Sequence, residues 1–217
     1  MTLAIDVVSD VVCPWCFIGK RRLEGALALY ARDQPEAPAP GVTWRPFQLN
    51  PDLPAEGMAR SDYVARKFGA RGGAVYERVS MVGREVGIPF AFDRIVRQPN
   101  TLAAHSLIEL ALGSGRQDAA VEAFFRAYFL DGVDLTARES LVAIATGAGL
   151  ERAQVESRLD DAEARAAVAQ EDAHARELGI QGVPFFIFNR RLAVSGAQPS
   201  EVLLEAMREA ETAPSEA

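Results

Sequence analysis

Cysteine and histidine are scarce in this sequence, with two of each among its 217 residues. A structural zinc site takes four ligands, and neither His105 nor His174 lies at ligand spacing from the two cysteines or from the other histidine. We therefore expect no metal site. Two cysteines are also too few for the disulfide framework that braces small secreted domains. Any joint function of the cysteines therefore depends on a single pair.

The sequence also lacks an excess of positive charge and a long apolar run. Its 23 Lys and Arg against 30 Asp and Glu give a net charge of −7, which disfavours nucleic acid and anionic membranes as partners. No stretch approaches the ~18 apolar residues of a membrane span, and the first residues do not resemble a signal peptide. We therefore expect a cytoplasmic protein. Disulfides are rarely structural in that compartment, so a close cysteine pair there favours catalysis or redox sensing.

The two cysteines that are present, Cys13 and Cys16, stand three positions apart, with Pro14 and Trp15 between them. An apolar, β-branched run precedes the pair and a run with helical periodicity follows it, which predicts a strand-to-helix junction. Residues three apart share a helix face, so the two sulfurs can form a disulfide. The helix N-terminus stabilises a thiolate at Cys13, and Cys16 lies one turn further in as the shielded, resolving thiol. The pattern predicts a redox-active pair; two buried, inert thiols are the alternative.

Periodicity divides the chain into an outer part and an insertion. Residues 1–56 show a strand, a helix and a second strand, and residues 179–211 show a β-hairpin followed by a helix. Between them, residues 57–178 are helical almost throughout. This order predicts a four-stranded mixed sheet with an inserted α-helical subdomain, and residues 212–217 are expected to form a frayed tail.

Three shorter patterns make local predictions. An aromatic stripe spaced i, i+3, i+4, i+7 and i+8 predicts the core of the inserted subdomain. Its members are Val121, Phe124, Phe125, Tyr128 and Phe129. Thr136 and Glu139 have the spacing of a capping box, which predicts that a helix starts there. Lys20, Arg21 and Arg22 follow the cysteines and are expected to lie on a solvated helix face, with a position near a glutathione carboxylate as the alternative.

Several segments together resemble a known family. They are the stretch from Cys13 to Glu24, R-P-F-Q-L-N-P at 45–51, P-N-T-L-A-A-H at 99–105, V-S-G-A-Q-P at 194–199, and Val183-Pro184 before the third strand. In these segments the chain is similar to the thioredoxin superfamily and, within it, to the FrnE-like branch of DsbA-type oxidoreductases. That branch is related to 2-hydroxychromene-2-carboxylate isomerases and kappa-class glutathione transferases. The resemblance implies an α/β thioredoxin fold with a large α-helical insertion between the second and third strands.

The same resemblance implies which residues form the site. The catalytic residues are Cys13 and Cys16. The substrate-binding residues are Pro14, Trp15, Val183 and Pro184. It also implies a cis peptide bond between Val183 and Pro184, with the Val183 backbone turned toward a peptide that adds as a short strand. Two plainer alternatives stay open: Pro184 only begins a strand, and Trp15 only packs on the helical subdomain.

Two further positions bear on proton transfer. Thioredoxin-like enzymes often carry a buried carboxylate six residues before the first cysteine, and that position here is Val7, flanked by Asp6 and Asp10. Strand alternation turns Asp6 away from the face of Val7, so the pattern does not supply the usual acid beneath Cys16. His105 belongs to a segment that resembles the substrate groove of glutathione-binding relatives. A lone helical histidine is more often packed or hydrogen-bonded than catalytic, so the role of His105 stays open.

These observations predict a thiol-disulfide oxidoreductase that forms a mixed disulfide with protein or low-molecular-weight thiol substrates. We expect no cofactor beyond the redox-active disulfide, with glutathione as a candidate co-substrate. One alternative is a glutathione-dependent isomerase or transferase of the same architecture, although such relatives typically carry a serine as the thiol-activating residue. The other alternative is a non-enzymatic redox sensor, whose disulfide would change its shape.

Overall fold

The computed structural model describes residues 2–212. Four strands form one sheet in the order β2-β1-β5-β6, namely β1 (Ala4–Ser9), β2 (Gly41–Pro46), β5 (Phe185–Phe188) and β6 (Leu192–Ser195). Strand β2 runs parallel to β1, whereas β5 is antiparallel to both of its neighbours, β1 and β6. The predicted mixed sheet with a hairpin on one side is therefore confirmed.

Two helices of the outer part pack together along the sheet. Helix α1 (Pro14–Asp33) connects β1 to β2, and α9 (Ser200–Thr212) follows β6. Pro14 suits the first position of α1, where a missing N–H costs nothing. Alternation along β1 sends Val7 into the main hydrophobic core with α1 and α9, whereas Val8 joins a smaller cluster on the other side of the sheet.

The insertion lies between β2 and β5 and is mostly helical. Its helices are α2 (Arg60–Phe68), α3 (Gly72–Glu85), α4 (Leu102–Leu112), α5 (Gln117–Phe129), α6 (Arg138–Gly147), α7 (Arg152–Asp160) and α8 (Ala162–Glu177). The aromatic stripe lies on α5 and every member of it is buried, which confirms it as core. The insertion also contains a short antiparallel ladder between β3 (Met58–Ala59) and β4 (Arg97–Gln98), which periodicity did not predict because two-residue strands show no alternation.

Two local predictions need correction. Helix α6 starts at Arg138 without a side-chain cap, and the Thr136 hydroxyl instead donates to Oδ1 of Asp134 at 2.7 Å. The predicted helix is present, but the capping box is wrong, because the N-cap of α6 is Ala137 and Thr136 lies one residue before it. The expected frayed tail begins too early, since Thr212 still belongs to α9; residues 213–217 lie outside the described residues. The division into an outer domain and an inserted subdomain stays a prediction.

Within residues 2–212, each helix is too short or too polar to cross a lipid bilayer.

Candidate active site

Both cysteines lie where β1 ends and α1 begins. The backbone N–H of Cys13 donates to the carbonyl oxygen of Asp10 at 3.0 Å, which closes the turn between the two elements. Cys13 is the N-cap of α1, and its own carbonyl accepts from the N–H of Cys16 at 3.0 Å. Both cysteines are free thiols. The predicted strand-to-helix junction is confirmed, and it places the two cysteines in a single helical turn.

The two thiols differ in their access to solvent. Cys13 keeps 4% of its surface exposed, whereas Cys16 has no exposed surface. The Cys13 thiol donates a weak hydrogen bond to the carbonyl oxygen of Val183, with 3.5 Å between sulfur and oxygen. A substrate can therefore reach only the edge of Cys13, and it must do so beside the Val183 backbone.

Val183 and Pro184 form the other wall of the site. Their peptide bond is cis, and Pro184 leads directly into β5. Helix α1 approaches this segment closely because Gly19 has no side chain: a Cβ at Gly19 would lie 2.8 Å from Cγ of Pro184. The fold thus brings Cys13 and Val183 into contact although 170 positions separate them in the chain.

Pro14 and Trp15 occupy the first turn of α1, and both are half-buried. Trp15 packs in part against the main hydrophobic core, and its packing on the helical subdomain in particular stays a prediction. Trp15 stands between the two cysteines in the sequence. Its contact with a substrate stays a prediction.

Burial sets the protonation state of Cys16. It raises the pKa of the Cys16 thiol well above the ordinary value, and the neighbouring Cys13 sulfur adds to the effect. A backbone hydrogen bond from Asp10 and the side chain of Ser9 act in the opposite direction without reversing the shift. At neutral pH, Cys16 is therefore a neutral thiol.

A buried carboxylate, Asp10, stands three residues before Cys13 and lies close to a buried histidine. Asp10 has no exposed surface; its Oδ2 accepts from the N–H of Leu49 at 2.7 Å, and its Oδ1 lies 3.4 Å from Nε2 of His105. The same Nε2 lies 3.2 Å from the carbonyl oxygen of Phe47. His105 is 4% exposed, so it is packed and hydrogen-bonded, in agreement with the expectation for a lone helical histidine.

Asp6 points away from the face of Val7 as predicted, whereas Asp10 is a buried acid that the sequence pattern did not indicate. Val7 is buried, and Asp6 pairs with Arg45, with 2.8 Å between Oδ1 and Nε. Asp10 follows the end of β1, and strand alternation does not apply to residues in a turn. One feature of the sequence does indicate that Asp10 is buried: it stands between the apolar pairs Val7-Val8 and Val11-Val12.

The basic residues after Cys16 do not form a solvated helix face. Lys20 is buried, and its Nζ forms ion pairs with Glu24, with Asp118 at 3.1 Å and with Glu122 at 3.4 Å. Arg21 also pairs with Glu122. That expectation was wrong because the acidic residues of α5 pack against this side of α1, a contact between elements that helical periodicity does not reveal.

Comparison with known proteins agrees with this geometry. The sequence matches the DSBA-like thioredoxin domain over residues 4–208. A crystal structure described as a probable DsbA oxidoreductase from Streptomyces coelicolor superposes with a TM-score of 0.87 at 32% sequence identity. That similarity covers 99% of this chain and 93% of the other.

Two more distant structures share the fold. A 2-hydroxychromene-2-carboxylate isomerase superposes with a TM-score of 0.68 at 17% identity, covering 97% of this chain and 100% of the other. The cytosolic disulfide reductase DsbM from Pseudomonas aeruginosa, solved with GSH, gives a TM-score of 0.60 at 19% identity and covers 95% of both chains. At these identities the similarity shows the fold alone. The domain match over nearly the whole chain shows that this protein belongs to the DSBA-like thioredoxin domain family of thiol-disulfide oxidoreductases.

Proposed function

We propose that this protein catalyses thiol-disulfide exchange through Cys13 and Cys16. One observation carries the proposal: the two thiols share the first turn of α1, with Cys13 at the solvent edge and Cys16 buried behind it. An accessible thiol attacks substrate, and a shielded thiol one turn away reacts with the first thiol instead of with other molecules.

The reaction has two steps. The Cys13 thiolate attacks one sulfur of a substrate disulfide, forms a mixed disulfide with it and releases the other substrate sulfur as a thiolate. The Cys16 thiolate then attacks the Cys13 sulfur, which forms the Cys13–Cys16 disulfide and releases the remaining substrate thiolate. The substrate gains two electrons and the cysteine pair loses two. The reverse sequence oxidises a substrate dithiol.

The substrate would bind beside Val183. An extended peptide can add as a short strand next to Val183-Pro184 through backbone hydrogen bonds, while Pro14 and Trp15 contact its side chains. This part of the proposal is supported by the carbonyl of Val183, which accepts from the Cys13 thiol in the free protein and can accept from a substrate N–H instead. It is also supported by the exposed part of Trp15 on the same turn as the cysteines.

We further infer a reducing role in the cytoplasm, with glutathione or another small thiol restoring the dithiol. Both cysteines of the chain belong to the site, so none is left to brace the fold, which suits a reducing compartment. The fold shared with a cytosolic disulfide reductase that was solved with GSH supports the same inference.

Turnover of insulin disulfides by the wild type and two variants tests the proposal. We expect Cys13→Ser to lose the activity entirely, because no thiolate remains at the solvent edge. Cys16→Ser should still attack substrate but fail to release it, and so accumulate a mixed disulfide visible as a mass increase under non-reducing conditions. Because the chain has two cysteines, any adduct on Cys16→Ser must be on Cys13.

Two results would contradict this proposal. Full reductase activity in Cys13→Ser would falsify the attacking role of that residue. A Cys16→Ser protein that turns over at the wild-type rate and traps no adduct would show that Cys16 does not resolve the mixed disulfide.

A glutathione-dependent isomerase or transferase is the second candidate, because the fold is shared with a 2-hydroxychromene-2-carboxylate isomerase. For such an enzyme, glutathione-dependent conversion of a small substrate would persist in Cys16→Ser, and the wild type would not reduce insulin. A non-enzymatic redox sensor would turn over neither substrate, although its Cys13–Cys16 disulfide would still form with an oxidant.

A further inference from the structure

The segment that directly follows β2 is largely buried although it belongs to no helix or strand. Its backbone polar groups must therefore find partners inside the protein. The N–H of Phe47 donates to the carbonyl oxygen of Ser9 at 3.0 Å. The N–H of Leu49 donates to Oδ2 of Asp10 at 2.7 Å, and the backbone carbonyl of Asp10 accepts from the N–H of Cys13 at 3.0 Å. These bonds attach the segment to the turn that carries Cys13.

A charged pair on α8 binds the middle of this segment. Oδ1 of Asp172 accepts from the Gln48 N–H at 2.8 Å, and Nη2 of Arg176 donates to the Gln48 carbonyl oxygen. Asp172 and Arg176 also pair with each other, with 3.1 Å between Oδ1 and Nη2, because residues four apart share a helix face. The Arg176 guanidinium lies over the Phe47 ring, 4.2 Å from its centroid. We refer to Asp172 and Arg176 as the α8 clamp.

The last turn of α8 continues this connection toward Val183. The N–H of Gly179 donates to the carbonyl oxygen of Arg176 at 2.9 Å, and the N–H of Ile180 donates to that of Ala175 at 3.1 Å. This pair of bonds closes a helix C-terminus at a glycine with a left-handed backbone, and φ of Gly179 is +82° to +85° in such company only at its own value of 85°. Ile180 is buried in the smaller hydrophobic cluster, and Val183 packs against the same cluster. The position of Val183 thus depends on where the last turn of α8 is held.

Together these contacts form a closed ring around the candidate site. In order, its members are Cys13, Asp10, the segment 47–49, the α8 clamp, the last turn of α8 and Val183, whose carbonyl accepts from the Cys13 thiol at 3.5 Å. Pairing of β5 with β1 fixes the chain on the C-terminal side of Val183. On its N-terminal side, residues 178–182 belong to neither helix nor strand, so their position depends on the α8 clamp.

We propose that the α8 clamp sets the position of the Val183 backbone relative to Cys13 and so fits the site to disulfides in extended peptides. This inference rests on the proposed disulfide exchange. A peptide that adds beside Val183 must also place its disulfide in line with the Cys13 thiolate, so the spacing of the two has to be fixed. A small disulfide without a peptide backbone needs the Cys13 thiolate alone. Asp172 and Arg176 are therefore positioning residues that favour peptide substrates.

Two substrates of different size separate this role from a general effect on folding. The first is insulin, whose disulfides lie in peptide chains; kcat and KM are measured with dithiothreitol restoring the dithiol. The second is DTNB, a small aromatic disulfide. Attack by Cys13 on DTNB releases one thionitrobenzoate, and the second-order rate constant of this release is measured by its visible absorbance in a stopped-flow instrument. Both experiments use the full-length protein.

The main variant is Arg176→Ala, because Arg176 is partly exposed and its loss leaves no buried charge without solvent. Arg176→Lys keeps the positive charge and a donor for Gln48, and Asp172→Ala removes the other half of the α8 clamp. The matched control is Arg152→Ala on α7. Arg152 forms an ion pair of the same spacing with Glu156, also at 3.1 Å, on an exposed helix surface.

We expect Arg176→Ala to lower kcat/KM for insulin about 10-fold, mainly through a higher KM, because a misplaced binding wall weakens peptide binding. The DTNB rate constant should change by less than about twofold, since the Cys13 thiolate itself is unaltered. Asp172→Ala should show the same selective loss, and Arg176→Lys should recover most of the insulin activity. Arg152→Ala should change neither rate.

Two results would overturn the role of the α8 clamp: an Arg176→Ala protein with wild-type kcat/KM for insulin, or one in which insulin and DTNB slow by the same factor. The second result would indicate general damage to the fold. If the wild type reacts with DTNB but reduces no insulin, the proposed function fails whatever the variants do. The wild-type measurement therefore distinguishes the two failures.

Discussion

At the scale of single residues, the missing side chain of Gly19 decides how closely α1 can approach the Pro184 wall. A Cβ at this position would lie 2.8 Å from Cγ of Pro184 and 3.3 Å from Cζ of Phe186. Neither neighbour can yield easily, because Pro184 is a rigid ring and Phe186 is fully buried. Gly19 is thus a structural requirement of the site although it carries no chemical group.

We predict that Gly19→Ala lowers the free energy of unfolding by about 1–3 kcal/mol, the usual cost of overpacking, and reduces disulfide reductase activity by displacing Pro184. Urea unfolding and insulin turnover measure the two effects. The matched control is Gly147→Ala in α6, where an added Cβ meets nothing within 4 Å and helix propensity predicts a gain of up to about 1 kcal/mol. A Gly19→Ala protein with wild-type stability and activity would show that the close contact is not required.

At the scale of secondary-structure elements, charged residues join α1 to α5. Lys20 is buried among Glu24, Asp118 and Glu122, and Arg21 reaches Glu122 from the next position on α1. The indole N–H of Trp44 on β2 also donates to Asp118, at 3.2 Å. This cluster attaches the helix that begins at the cysteines to the inserted subdomain.

The pH dependence of this cluster follows from Glu122. Burial alone would raise the pKa of Glu122, but the hydrogen bond from Arg21 and the charge of Lys20 outweigh burial and lower the pKa below its ordinary value of 4.5. A carboxyl group with a lower pKa in the folded protein stabilises the fold above its unfolded pKa. It loses this contribution as the pH falls through the folded value. The contribution of Glu122 to the contact between α1 and α5 should therefore be lost in acid.

We predict that Glu122→Gln lowers the free energy of unfolding by about 1 kcal/mol at neutral pH, as expected for a partly exposed ion pair. The difference from the wild type should shrink as the pH falls below the ordinary glutamate pKa of 4.5, because wild-type Glu122 then begins to lose the charge that the variant lacks. Urea unfolding at several pH values measures it, with Glu205→Gln on the exposed side of α9 as the control. A difference that stays constant down to about pH 3 would contradict the assigned role of the Glu122 charge.

Local sequence signals identified elements well where the apolar pattern was strong. The stripe on α5 and the run Phe185–Phe188 both mark buried elements. Helix α7 lies in the region predicted to be helical but has no distinct pattern of its own, because its two buried residues, Val155 and Leu159, are too few to stand out among polar neighbours. Short elements of this kind depend on packing against their neighbours more than on their own sequence.

At the scale of the whole molecule, one hydrophobic core runs through the outer part and the insertion. Phe17, in the helix that begins at the cysteines, stacks on Phe125 of α5 with 5.0 Å between ring centroids. Phe17 also meets Phe90 edge-on and lies near Phe129. Because these rings come from both parts of the chain, neither part can unfold without exposing the core of the other.

We therefore predict a single cooperative unfolding transition. Urea curves followed by far-UV circular dichroism, which reports mainly on the helical insertion, should coincide with curves followed by the fluorescence of Trp15 and Trp44 in the outer part. Phe125→Ala should move both curves to lower urea concentration and lower the free energy of unfolding from each by about 3–5 kcal/mol, the usual cost of deleting a buried phenylalanine side chain.

Leu178→Ala is the control for this experiment, because Leu178 is an exposed apolar residue whose loss should change stability by no more than about 0.5 kcal/mol. Separate transitions for the two signals, or a shift of one curve alone in Phe125→Ala, would show that the insertion unfolds independently.

The sequence by itself determined the features that depend on neighbouring residues: the cysteine pair at a strand-to-helix junction, the hairpin and the aromatic stripe of α5. Period and spacing carry this information because they fix which side chains share a face. Tertiary structure alone decided that Val183 meets Cys13, that Asp10 and His105 form a buried pair, and that Lys20 is enclosed by carboxylates. These contacts join elements far apart in the chain. Only their packing sets the burial that determines whether a polar residue is solvated or paired.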